Sequence, residues 1–116
     1  MSRGISIYYK LLSSDKNKLR YGYSGADINR EYNKNSLLAY DGIIEITISA
    51  LESKTAIEAI KDNDAAILKE CKYEWHQPRL ADGDRNLGFF AVKVISKIFR
   101  ERKENQKIAD KGCVVY

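Results

Sequence analysis

The chain contains one histidine, His76, and two cysteines, Cys71 and Cys113, which are the residues best suited to nucleophilic chemistry. A catalytic thiol needs a base within hydrogen-bonding reach. Cys71 precedes His76 by five positions, and on one helix that spacing turns the two side chains about 140° apart. The spacing favours a histidine at the end of an element, so we predict no catalytic residue. Two cysteines so far apart also favour free thiols over a disulfide.

The acidic stretch before the C-terminal apolar region begins like a calcium-binding loop. Asp82, Asp84 and Asn86 alternate as oxygen ligands do in such loops. Leu87 stands where the loop needs a glycine, and Lys93 stands where it needs a bidentate acid. Acidic residues before a helix also stabilise its positive N-terminal end. We therefore predict neither a metal site nor any other cofactor.

Trp75, His76 and Arg79 lie close together in the chain and are candidates for binding a partner. Tryptophan and arginine are among the residue types that anchor protein interfaces. Trp75 could equally close the edge of the core. The stretch therefore predicts a protein contact without specifying its chemistry.

Tyr8, Lys10 and Arg20 form a second candidate partner-binding set. Strand alternation places them on the face opposite the apolar residues. An aromatic and basic face of this kind could also stack the bases of single-stranded RNA. The same alternation assigns most neighbouring tyrosines to the core: Tyr9, Tyr21 and Tyr23.

The composition is typical of one folded globular domain, which we place at residues 1–116, since the chain is 44% hydrophobic and 31% charged. No stretch approaches the roughly 20 apolar residues of a membrane span, and the first residues lack the apolar core of a signal peptide. We therefore expect a cytoplasmic protein with no membrane partner. Lysine and arginine outnumber aspartate and glutamate by 20 to 16, which would assist approach to an acidic partner, whether protein or nucleic acid.

Alternating apolar residues predict an antiparallel sheet that would position these side chains. The predicted strands span residues 5–12, 19–23, 37–40 and 43–48. Asp41 and Gly42 fit the two central positions of a type I′ turn, so they predict a hairpin between the last two strands. In that register Ile44, Ile46 and Ile48 share a face with Leu37 and Ala39, which we predict to lie beneath the central helix.

Three helices complete the predicted fold, at residues 54–61, 64–73 and 86–104. Thr55 and Glu58 have the spacing of a capping box at the start of the first helix. Asp84 or Asn86 could cap the third helix. One wide side of that helix is apolar, through Leu87, Phe90, Ala91, Val94, Ile95 and Ile98. We therefore predict a single α+β domain, with this central helix buried against about four antiparallel strands.

Four stretches of the chain together resemble a known class of protein: ISIYYKLL at residues 5–12, YGYSG at 21–25, YDGIIEI at 40–46 and the C-terminal helix. In architecture they resemble the small immunity proteins of bacterial polymorphic-toxin and contact-dependent inhibition systems. The resemblance implies a non-enzymatic protein that neutralises a protein partner, a cognate toxin domain. It assigns no role to any single residue.

One property departs from that class. Immunity proteins against nucleases are often acidic, whereas this chain has a net charge of +4, which would imply an acidic toxin or binding away from the toxin's active site. The alternative function is an RNA-binding protein, or a metal-independent ribonuclease that uses His76, Arg79 and a tyrosine.

Overall fold

An antiparallel sheet of five strands forms the body of the computed structural model, which describes residues 5–27, 40–72, 76–78 and 86–115. The strands of this sheet are β1 (Ile5–Ser14), β2 (Lys18–Asp27), β3 (Gly42–Thr47), β4 (Ala65–Lys69) and β7 (Lys111–Val115). Their order across the sheet is β4-β3-β2-β1-β7. Two short strands, β5 (His76–Pro78) and β6 (Asn86–Gly88), pair separately. The described helices are α1 (Ile48–Ser53), α2 (Ala56–Lys61) and α3 (Phe89–Asn105). The predicted α+β class is confirmed.

The core lies between α3 and one face of the sheet. Strand alternation directs the apolar residues of β1, β2 and β3 to this face, and the buried ones are Ile7, Tyr9, Leu19, Tyr21, Tyr23, Ile44 and Ile46. The apolar side of α3 covers them with Phe90, Ala91, Val92, Val94, Ile95, Ile98 and Phe99. The predicted buried side of the helix and the predicted core role of Ile44 and Ile46 are therefore confirmed. The side chain of Leu87 lies outside the description.

The start of the central helix differs from the prediction. Residues 86–88 form β6, and α3 begins at Phe89 with Gly88 as its N-cap and no side-chain hydrogen bond there. The prediction that Asn86 caps the helix is therefore wrong, because pairing with β5 holds this residue in a strand. Asp84 lies outside the described residues.

Over the described residues 64–72, the helix predicted at 64–73 does not form. Asn63 adopts a positive φ of 62° and turns the chain, so that residues 65–69 pair with β3 as β4. The main-chain amide of Thr47 donates to the carbonyl of Asp64 at 2.7 Å and closes this connection. An apolar run this short does not distinguish a strand from a helix. A short helix also gains little from its own hydrogen bonds, whereas the strand extends an existing sheet.

Asp41 and Gly42 do not occupy the centre of a type I′ turn. The positive φ falls at Tyr40, at 50°, and Gly42 is already in β3, opposite Tyr23. A Cβ at Gly42 would overlap the Tyr23 ring. The glycine therefore permits close approach of an aromatic ring in the core, and the turn prediction is wrong. Of the predicted strand at residues 37–40, Tyr40 is described and lies in no strand, and residues 37–39 lie outside the description.

The capping box at Thr55 is confirmed. Its hydroxyl accepts a hydrogen bond from the Glu58 amide, and the Glu58 carboxylate accepts one from the Thr55 amide. The helix α1, immediately before it, was not predicted. Both cysteines are free thiols, as expected. Within the described residues, no helix is long and apolar enough to cross a membrane.

Candidate functional site

The face of the sheet opposite α3, called here the outer face, brings Tyr8, Lys10 and Arg20 together. Tyr8 and Lys10 alternate along β1 with buried residues, and Arg20 does the same along β2. Tyr8 is half-buried, whereas Lys10 and Arg20 are exposed. The predicted clustering of these three residues on one face is confirmed.

A row of directly opposed residues crosses the whole outer face. Ile43 pairs with Lys69 on one side and with Gly22 on the other, and Lys10 pairs with both Gly22 and Lys111. Residues directly opposite each other in antiparallel strands point to the same face. Three lysines therefore share this row with an isoleucine and a glycine.

The glycine of this row supports an apolar centre. A Cβ at Gly22 would lie 3.1 Å from the Cβ of Tyr40 and 3.2 Å from a Cδ of Leu12, so both side chains rest directly on the glycine. Leu12 stands at an irregularity in the β1–β2 register and is 45% exposed. The ammonium of Lys10 lies 4.9 Å from the centroid of the Tyr40 ring, within the range of a cation–π contact.

A second row, beside the first, contains an ion-pair network. The guanidinium of Arg20 lies 2.8 Å from a carboxylate oxygen of Glu45, and the ammonium of Lys18 lies 3.3 Å from the other oxygen. The hydrogen bond from Arg20, assisted by the one from Lys18, holds the pKa of Glu45 below its usual range. The carboxylate is therefore negative at neutral pH and partly neutralises these two cations.

The inner tyrosines belong to the core. Tyr21 donates its hydroxyl hydrogen bond to the carbonyl of Ala109 at 2.7 Å, and the hydroxyl of Tyr23 accepts one from the Cys71 amide at 3.3 Å. Burial, with the charge of Glu101 nearby, raises the pKa of Tyr9 to about 12. The hydroxyls of Tyr21 and Tyr23 tie the sheet to neighbouring segments, and the burial of all three side chains confirms the core prediction for this set.

The other predicted partner-binding residues cannot be placed on this face. Trp75 and Arg79 lie outside the described residues, and His76 lies in β5, where only the main chain is described. Their predicted role stays a prediction. Asp82 of the calcium-like stretch is also outside the description. In the described ranges, no group of three or more histidine, cysteine, aspartate or glutamate residues could hold a metal ion.

Sequence reasoning did not select Leu12, Tyr40 or Lys111 as candidate site residues. Leu12 carried a signal, because alternation placed this apolar residue among the polar residues on the outer side of β1. No feature of the sequence indicated Lys111, because nothing in the sequence predicts that its strand pairs with β1. The position of Tyr40 follows from its positive φ and from Gly22, neither of which periodicity reveals.

An apolar centre with a charged rim is the arrangement found at protein interfaces. Five cations lie on this face, and the carboxylate of Glu45 contacts two of them, Lys18 and Arg20. The other three are Lys10, Lys69 and Lys111. Comparisons with protein-family models, with curated proteins and with solved structures found no match for the chain.

Proposed function

We propose that the chain is a non-enzymatic binding protein that neutralises an acidic protein partner through its outer face, as an immunity protein or antitoxin does. One observation carries the proposal: Leu12 and Tyr40 form an apolar centre on Gly22, on a face that also carries five cations. An exposed leucine beside a tyrosine supplies apolar contact area, and the cations favour a partner with carboxylates. The proposed site of action is the bacterial cytoplasm.

Two features favour protein over nucleic acid as the partner. The ring of Tyr40 already carries the ammonium of Lys10 at 4.9 Å, so one ring face is occupied where a base would stack. Leu12 exposes apolar surface that a phosphate backbone does not use, since nucleic-acid affinity depends mainly on phosphate contacts.

Growth rescue tests this function with two matched variants. The reading frame directly upstream of the gene would be expressed in a bacterial host, and the chain would be co-expressed with it. We expect the upstream product to inhibit growth and the wild-type chain to restore it. Leu12→Asp should abolish rescue, because it places a charge at the centre of an interface that must lose its water.

Ile57→Asp is the control, because Ile57 is 53% exposed on α2, close to the exposure of Leu12. It introduces the same charge and should leave rescue intact. Equal loss of rescue in both variants, or rescue by both, would contradict the proposed interface. A salt-dependent shift of total RNA that is lost in a Lys10→Ala/Arg20→Ala variant would favour the RNA-binding alternative instead.

A further inference from the structure

Lys10 and Lys111 face each other directly across β1 and β7. The next residues along the two strands are Leu11 and Asp110. The amide of Leu11 donates to the carbonyl of Asp110 at 2.6 Å, so these two form a hydrogen-bonded pair. Hydrogen-bonded and non-hydrogen-bonded pairs alternate along an antiparallel ladder, and side chains lie closer in the latter. The two lysines therefore occupy the close type of pair, on the outer face.

Like charges placed directly opposite each other destabilise a sheet. Both lysines are exposed, and none of the ion pairs found among the described residues involves either of them. The Tyr40 ring offsets part of the repulsion, because it attracts the ammonium of Lys10. Lys111 has no such contact in the described part of the chain.

Two other cations of the face, Lys18 and Arg20, are already engaged by an internal carboxylate. Glu45 lies within 3.3 Å of Lys18 and 2.8 Å of Arg20, so an incoming anionic group would have to compete with an internal carboxylate there. At Lys10 and Lys111 an incoming anionic group would meet two ammonium groups, and no carboxylate of the described residues is paired with either of them.

We propose that the Lys10–Lys111 pair is an anion-recognition point that receives a carboxylate of the acidic partner. This inference rests on the proposed function and locates its electrostatic contact. The two oxygens of one carboxylate can accept from both ammonium groups, which converts their repulsion into attraction. The repulsive pair therefore lowers the stability of the free protein and favours the bound state.

The test combines protein stability with binding of a defined probe. Thermal melts at low salt compare wild type with Lys111→Glu, which places opposite charges across the pair, and with Lys16→Glu. Lys16 lies in the exposed turn between β1 and β2 and carries the same change of charge outside the row. We expect Lys111→Glu to raise Tm by about 2–4 °C, with a smaller gain at high salt. Lys16→Glu should not raise it.

Binding is measured with a decaglutamate peptide and with a ten-nucleotide uridine RNA. We expect Lys111→Glu to weaken peptide binding at least fivefold and Lys16→Glu to weaken it much less. A Tm that does not rise, or equal weakening by both variants, would overturn the proposal. The RNA could instead bind more strongly than the peptide and lose that binding in Lys111→Glu. That result would show that the lysine pair recognises phosphate, and it would overturn the proposed recognition of a carboxylate. Neither probe is the partner, so this test does not depend on growth rescue. Failure of growth rescue alone would refute the proposed function and leave the anion-recognition point standing.

Discussion

Truncating Ile95 tests whether α3 is the buried centre of the domain. Its side chain is fully buried, and replacement by alanine removes about three methylene equivalents at ~0.8 kcal/mol each. A cavity term adds to this loss when the surroundings do not collapse. Ile95 also lines an open pocket of about 360 Å³ between α3 and β4, so part of the vacated space would join that pocket. We therefore expect a loss of about 2–4 kcal/mol in the free energy of unfolding.

Lys97→Ala is the matched control, since Lys97 lies two positions further along the same helix. Its ammonium lies 3.3 Å from a carboxylate oxygen of Glu101, and both side chains are partly exposed. An ion pair with this spacing on a helix surface contributes about 0.3–0.5 kcal/mol. The higher helix propensity of alanine offsets part of that loss. The net change should therefore stay below about 0.5 kcal/mol.

Thermal and urea unfolding of both variants would measure the contrast. A domain of this kind has a total stability of about 5–15 kcal/mol, so Ile95→Ala should lower Tm by at least about 8 °C. Similar losses in Ile95→Ala and Lys97→Ala would refute the assignment of the buried side of α3.

Three further changes test the core and one helix start. Gly42→Ala should lower the free energy of unfolding by about 1–3 kcal/mol, because the new Cβ overlaps the Tyr23 ring. In urea unfolding, the same substitution should cost less in a Tyr23→Leu background. Purely additive losses would contradict the overlap. Because the pKa of Tyr9 is raised to about 12, the unfolded chain releases that proton near pH 10 while the folded chain retains it. Wild type should therefore lose stability relative to Tyr9→Phe between pH 10 and 12, and a constant difference would count against this burial effect. Thr55→Ala should cost about 1 kcal/mol by removing the capping box with Glu58, and an unchanged melt would argue against that cap.

Local sequence patterns predict the parts of the fold in which periodicity and burial agree. Alternation along residues 5–12 and 19–23 identifies both the first hairpin and its two faces. The apolar side of the central helix is visible because it extends over several turns. Long, regular patterns of this kind leave one way to bury the apolar residues.

The errors occur where a contact distant in sequence decides the local structure. Residues 65–69 have too short an apolar run to indicate a strand, and only their pairing with β3 selects one. Gly42 resembles a turn residue, but its role comes from Tyr23 on the neighbouring strand. Lys111 joins the candidate site only because β7 pairs with β1.

Hydroxyl-radical footprinting of Leu12 would test most directly whether the outer face is the interface. The chain would be labelled alone and in complex with the product of the upstream reading frame. Ile57 serves as an internal reference, because it is 53% exposed while Leu12 is 45% exposed. We expect oxidation of Leu12 to fall strongly in the complex while oxidation of Ile57 stays unchanged. A stable complex that leaves Leu12 as reactive as in the free protein would contradict binding through the outer face.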